Sequence, residues 1–401
     1  MSKIQKITIV NAHWSNRGDE AALLAVVDGL QKKYPNSKIM ILFKDDKQIQ
    51  QFPNIKNVDY DTAKFNAKIW DIWITTISRG VLGINDKLKL MVKTLLKSDL
   101  IIYSPGGSVI NSRFFWRKQM EYLVPFICSK FYNIPLMIAA PSIGPFDSNK
   151  PNRILKWLLK VPKVFIVREE ISKRYLEEIG IIDNIVTTID SAFYDGIKEE
   201  INKKKLDEYK DLKEYLNSHE KVVGITITDF SWHVKYGKDK ELSKRITDSF
   251  RQFLDKLQSE GYGILFIPQL FGNQNDSDYM DTFSTDKTFM MKDTYDTYFQ
   301  QYIISKLYAV EGMRYHSNIF SAKVGTPFIP VVYEEKMEGF VEIAGLNDYA
   351  ISLNELSFEQ LEEKFEKLND NYDDVKAMFR DKLPNWKQQA SKTIELLGKY
   401  N

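Results

Sequence analysis

Short runs of aliphatic and β-branched residues alternate with longer helical patterns along the first half of this chain, and the alternation restarts after residue 220. That rhythm constrains the fold more than any single motif. Each helical crossover returns the chain to the same sheet edge, so the strands pair in parallel, and a parallel sheet must be covered by helices on both faces. The first-half strands are expected at Ile7–Val10, Lys38–Leu42, Leu100–Tyr103, Leu136–Ala139, Val164–Val167 and Val186–Ile189. Helices are expected over Asp19–Lys33, Asp86–Leu96, Trp116–Phe131, Ile154–Leu159 and Ser172–Gly180. In the last of these, Ser172 is placed to cap the start and Gly180 to end it in the left-handed conformation.

Residues 196–220 break the pattern. Lys198 to Glu208 is dense in charge and poor in apolar residues, as a linker or exposed helix would be. The second half then reads as strand Val222–Ile227, helix Lys240–Glu260, strand Gly263–Pro268, a strand near Thr288, helix Thr294–Lys306, strand Leu307–Glu311, helix Ser317–Val324 and strand Phe328–Val332. With 401 residues the chain is long enough for two cores. The reading is α/β: two Rossmann-like domains facing a cleft, over residues 1–195 and 221–375, joined by a charged linker at 196–220. A helical tail at 376–401 is expected to cross back to the first domain.

Composition excludes several classes. There are 56 basic and 54 acidic residues, a net charge of +2, which lacks the basic excess that phosphate-backbone binding requires. The single Cys128 rules out an internal disulfide framework, and its apolar helical setting points to a buried thiol. The start is a short basic lead into a strand, without the apolar core of a signal peptide. No window has the roughly 18 uninterrupted apolar residues of a membrane span. A cytoplasmic protein is expected, with peripheral contact at the inner membrane face left open. Lys87–Lys97 is amphipathic and Arg113–Lys118 interleaves aromatics with cations, so both are candidates for that contact. For both, a sheet-covering helix with a solvated basic face is the reading favoured over membrane contact.

Three potential cations, Arg314, His316 and Lys336, are spaced across a loop, a helix, a Gly-x-Pro turn, a strand and a second loop. In a strand–helix–strand unit both loops lie at the carboxyl edge of the sheet, where ligands bind. A small, dense anion would be held well there, with a histidine beside it to donate a proton. Amides of Ser317, Asn318 and Ile319 at the helix start add to that anion site. Arg168 ends an apolar strand, so its guanidinium should emerge at the edge of the first sheet. The structural alternative is an ion pair to Glu169 or Glu170. Gly18 and Asp19 are candidate cleft residues, with Asp19 equally readable as a helix cap. Gly106 and Gly107 belong to a glycine run in which Pro105 removes a backbone donor, so that loop reads as acceptor-side or structural. Gln269 and Asp276 are further acceptor candidates. The histidines His13, His219 and His233 show no metal-ligand spacing, and no metal is expected.

These residues lie in blocks whose order resembles the polysaccharide pyruvyl transferase family. Asn16-Arg17-Gly18-Asp19-Glu20-Ala21-Ala22, the strand and glycine run Asp99–Ser108, Ser142-Ile143-Gly144-Pro145, Val167–Ser172, Asp190-Ser191-Ala192-Phe193 and the Arg-x-His block at 312–316 with Lys336 downstream run from about residue 11 to 345. The resemblance implies transfer of the enolpyruvyl carbons of phosphoenolpyruvate to a sugar as a cyclic ketal. It implies His316 as the general acid and Arg168, Arg314 and Lys336 as ligands of the donor. Phosphoenolpyruvate is then a co-substrate, with no other cofactor, and the acceptor is a glycan of a surface polysaccharide or its lipid-linked precursor. The two-domain pattern is similar to the GT-B architecture. A nucleotide-sugar glycosyltransferase and a non-catalytic member of the fold are the alternatives.

Overall fold

The computed structural model describes residues 4–14, 16–44, 53–106, 110–111, 116–146, 153–194, 196–231, 233, 235–271 and 275–399. The chain forms two compact units. One comprises Met1–Trp14, Asp19–Tyr194 and Lys387–Asn401; the other comprises Ser15–Gly18 and Asp195–Trp386.

The first unit is built on β1 (Lys6–Ala12), β2 (Lys38–Phe43), β3 (Val58–Thr62), β4 (Leu100–Tyr103), β5 (Leu136–Ala139), β6 (Val164–Val167) and β7 (Ile185–Thr187). Their order is β3-β2-β1-β4-β5-β6-β7, and every pairing is parallel. Each residue of β4, β5 and β6 is buried, as expected of strands covered on both faces. The chain winds outward from β1 and then jumps back to β4, so the sheet has its switch point between β1 and β4. β3 and the helix Ile69–Ile77 were not expected from the sequence. Val58-Asp59-Tyr60-Asp61-Thr62 is an edge strand whose alternating acids mask it. The helix Asp86–Leu95 buries Leu88, Met91, Val92 and Leu95 in the core, so it is a sheet-covering helix. Arg113–Phe115, and the side chains of Trp116–Lys118, lie outside the described residues.

The second unit holds β8 (Val222–Ile225), β9 (Gly263–Phe266), β10 (Thr288–Met290), β11 (Ala309–Gly312), β12 (Phe328–Val332) and β13 (Ile351–Ser352). Their order is β10-β9-β8-β11-β12-β13, again all parallel, with the switch point between β8 and β11. Of the two readings of the charge-dense segment, linker or exposed helix, the second is the one observed. The segment forms helices Glu199–Glu208 and Lys210–Ser218, and Tyr209 between them stacks on Tyr295 at 5.0 Å. The tail is the helix Tyr372–Leu396, whose residues from Lys387 onward group with the first unit. There Thr393 shares a 2.9 Å hydrogen bond with Thr188, and the Lys33 ammonium donates to the carbonyl of Ile394 at 3.1 Å.

Candidate active site

At the switch point of the second sheet, β11 ends at Gly312 and Arg314 becomes the N-cap of the helix Tyr315–Val324. A side chain at Gly312 would collide with the Asn318 amide, which lets that helix start close under the strand end. The expected start at Ser317 is therefore two residues late, and His316 stands in the first helical turn rather than on a loop. Asn318 and Ile319 fall inside the helix, so the amides left for an anion are those of Tyr315 and His316.

Arg314 is buried and fixed by Asp276, the first residue of the helix Asp276–Asp281. Its Nε donates to Asp276 Oδ2 at 3.2 Å and its Nη2 donates to Oδ1, the forked pairing that a planar guanidinium favours. The same Oδ2 accepts from the backbone of Gln269 at 3.0 Å and Leu270 at 2.9 Å. Burial works against the charge on Arg314, and the pull of Asp276 and Tyr333 outweighs it, so its pKa is raised. Burial likewise pushes the Tyr333 hydroxyl up, against the opposing effect of Arg314. Asp276, read from sequence as an acceptor contact, is thus the positioning partner of an arginine. Gln269 is also buried, its amide donating to Gln300 Oε1 at 2.6 Å.

His316 packs against Gly18, where any Cβ would fall inside the imidazole ring. Asn16 caps the helix Arg17–Lys33 by accepting from the Gly18 amide at 2.8 Å, so the cap is Asn16 and not Asp19. The Arg17 amide donates to the Gln269 carbonyl at 2.9 Å, and its guanidinium lies 4.4 Å over the Phe271 ring. Lys336 stands in the first turn of the helix Glu335–Ala344, 2.5 Å from Glu334 and 5.6 Å from the centre of the Tyr315 ring. Glu334 also faces His233 at 3.7 Å. In β11 itself, burial pushes the Glu311 carboxyl well above the usual range, against the opposing effect of the Thr226 backbone.

In the first unit, Arg168 is 3% exposed and fully engaged at the end of β6. Nη1 pairs with Asp190 at 2.6 Å, Nε with Glu169 at 3.2 Å, and Nη2 donates to Ser142 Oγ at 2.7 Å. Three of the sequence blocks converge here, and the expected emergence of the guanidinium at the sheet edge gives way to the ion pair with Glu169. Ser172 accepts from the Ile143 amide at 2.9 Å and donates to Glu169 at 2.8 Å, so it braces the same network and does not cap its helix, which begins after Glu169. Gly106 adopts φ +135°, and a Cβ there would come within 2.9 Å of Asp19 Oδ1. Gly107 lies outside the described residues.

A cavity of about 510 Å³ opens at the carboxyl ends of β1 to β4 in this unit, within the range of small-ligand pockets. Asn11, Lys44, Phe65, Tyr103, Glu121 and Tyr122 are among its walls. Asn11 holds φ +63°, and its buried Oδ1, like the buried Tyr103 hydroxyl, has no hydrogen-bond partner among the described residues. The Lys44 ammonium sits 3.7 Å over the Tyr122 ring. Nearby, burial and then Lys44 push the His13 imidazole down to about 4, with Asp19 opposing. No sequence motif points to this cavity or to a role for Glu311. Positive φ at Asn11 and pairing of Arg314 with residues far along the chain carry no local signature.

Residues 16–335 match the family model described as polysaccharide pyruvyl transferase. The amylovoran biosynthesis protein AmsJ of Erwinia amylovora is 21% identical over 403 residues, covering 92% of this chain and 93% of that protein. Among solved structures, a UDP-GlcNAc 2-epimerase of Neisseria meningitidis bound to UDP-GlcNAc is similar with a TM-score of 0.61 at 17% identity, covering 98% of each chain. A glycosyltransferase of Rickettsia africae is similar with a TM-score of 0.57 at 13% identity, covering 99% of this chain and 94% of that one. At such identities these likenesses concern the fold, which is GT-B-like: α/β with two parallel sheets.

Proposed function

The chain belongs to the polysaccharide pyruvyl transferase family, and from that premise we propose that it transfers the pyruvyl carbons of phosphoenolpyruvate to two hydroxyls of a sugar in a surface polysaccharide or its lipid-linked precursor. The observation that carries this reading is Arg314, buried and forked onto Asp276 at a sheet switch point, with His316 two residues on. A guanidinium held in one orientation, with a histidine two residues on, suits a compact donor that carries a phosphate and a carboxylate. Lys336 supplies a second, more mobile charge.

In this reading the His316 imidazolium gives its proton to the methylene carbon of the donor, which becomes a methyl group. The adjacent carbon gains oxocarbenium character and one sugar hydroxyl adds to it, releasing a proton. The second hydroxyl then displaces inorganic phosphate from that carbon and closes the ketal. The released protons restore the imidazolium and protonate the leaving phosphate. Arg168 is assigned to bracing the first sheet edge, because its guanidinium already serves two carboxylates. The cavity of the first unit is assigned to the acceptor: Phe65 and Tyr122 are the aromatic walls that would meet a sugar ring, and Asn11 is the polar one.

The test is to incubate the protein with phosphoenolpyruvate and candidate glycans, lipid-linked or free, and to follow phosphate release with mass analysis of the glycan. Phosphate release that requires both substrates, with a pyruvylated product, is expected. Sugar transfer from a nucleotide sugar without consumption of phosphoenolpyruvate would refute the reading.

A further inference from the structure

The helix Ile69–Ile77 in the first unit is apolar on both its inner and its outer side, with Ile72 in the core and Ile69 and Trp73 packed against it. It buries Asp71, Ile72, Thr75 and Thr76, while Trp70, Ile74 and Ile77, on one stripe with Trp73, face outward. A soluble surface helix keeps that outer face polar. The buried carboxylate explains the geometry of the turn that follows. Asp71 Oδ1 accepts from the Thr75 hydroxyl at 3.2 Å and from the Ile84 amide at 2.8 Å, which draws the backbone of the turn inward. Its apolar side chains are left outside: Val81 and Ile84 are each 71% exposed, and Leu82 is exposed as well.

The apolar face continues beyond this helix. Trp73 meets exposed Phe131 edge-on at 6.2 Å, and Phe131 meets exposed Trp157 at 6.3 Å. The Tyr132 hydroxyl donates to the carbonyls of Thr76 and Ile77, each at 2.8 Å, and ties the elements together. The second unit exposes only Ile201 and Ile343 among its described large hydrophobic residues. Cations surround the face. Arg79 lies 5.2 Å from the Tyr132 ring centre, Lys130 lies 5.7 Å from that of Trp157, and Lys93 flanks the turn at Gly80. Of the acids between residues 68 and 97, Asp71 is buried and Asp86 pairs with Lys89 at 3.1 Å.

We propose that this face seats the protein on an anionic lipid bilayer as a monotopic contact, whatever reaction the protein performs. Interfacial aromatics with a lysine and arginine rim match the chemistry of such a surface. A second copy of the chain would bring one cationic rim against another across a two-fold axis. A protein partner is the poorer fit because lysine is depleted at protein–protein interfaces.

The test is flotation of the full chain with vesicles of phosphatidylcholine, alone or mixed with phosphatidylglycerol. Flotation with the mixed vesicles, weakened by salt, is expected. The exposed double substitution Trp70→Ser with Ile77→Ser should weaken it about tenfold. Lys93→Glu with Lys130→Glu should abolish the preference for phosphatidylglycerol, and both variants should keep the wild-type circular dichroism spectrum. Failure of the wild-type chain to float, or wild-type flotation of the serine variant, would overturn the proposal. So would a dimer abolished by Trp70→Ser without any vesicle binding.

Discussion

Gly18 and His316 share one space: a Cβ on the glycine would fall inside the imidazole ring. The glycine lies in the first turn of a helix, where alanine is ordinarily the better residue by about 1 kcal/mol. Its presence there is explained by the ring it admits. Gly18→Ala must displace His316, and a misplacement of that kind can cost roughly 100-fold in turnover. Steady-state assay beside a thermal melt checks this; wild-type turnover would show that the ring position does not matter.

Asp276→Asn keeps the shape of the buried pair and removes its negative charge. Arg314 is then left in a low-dielectric site without its counter-charge, which should cost about 3 kcal/mol of stability. The guanidinium also loses its fixed orientation, so the KM for phosphoenolpyruvate should rise more than kcat falls. Denaturant melts and donor titrations measure the two effects separately. An unchanged melt would mean that the pair is solvated and weak.

Glu311 predicts a pH dependence. Burial raises its folded pKa well above the unfolded value, so between those two values the native state holds a proton that the unfolded state has lost. Stability contributed by this group is therefore present below the unfolded pKa and lost as pH rises, at up to about 1.4 kcal/mol per pH unit. Glu311→Gln cannot ionise, so the variant should gain on wild type progressively from about pH 4.5 upward. Melts across that range decide it; a constant difference would mean the carboxylate is paired when it ionises.

The strands were readable because parallel, doubly covered strands are continuous apolar runs, as in Leu100–Tyr103 and Val164–Val167. What escaped the sequence was set by distant partners. Arg168 looks like an edge ligand until Asp190, 22 residues later, and Ser142, 26 residues earlier, are seen to hold it. The helix at Tyr315 carries no side-chain cap, so no residue type marks its true start and Ser317 reads as the beginning. The helix Ile69–Ile77 shows no polar outer face because its polar residues point inward. Segment 199–218 reads as a linker or an exposed helix because its few apolar residues, such as Tyr209 and Leu212, are spread among charges, and those few suffice to dock the helices that form.

The central claim is that His316 delivers the proton that makes the donor electrophilic. The measurement is single-turnover phosphate release from phosphoenolpyruvate with an acceptor glycan, for wild type and His316→Ala, with donor binding titrated in parallel. Loss of the general acid should slow release by roughly two to four orders of magnitude and leave donor affinity nearly unchanged. Near-normal release by His316→Ala would contradict the claim, as would a loss confined to donor affinity.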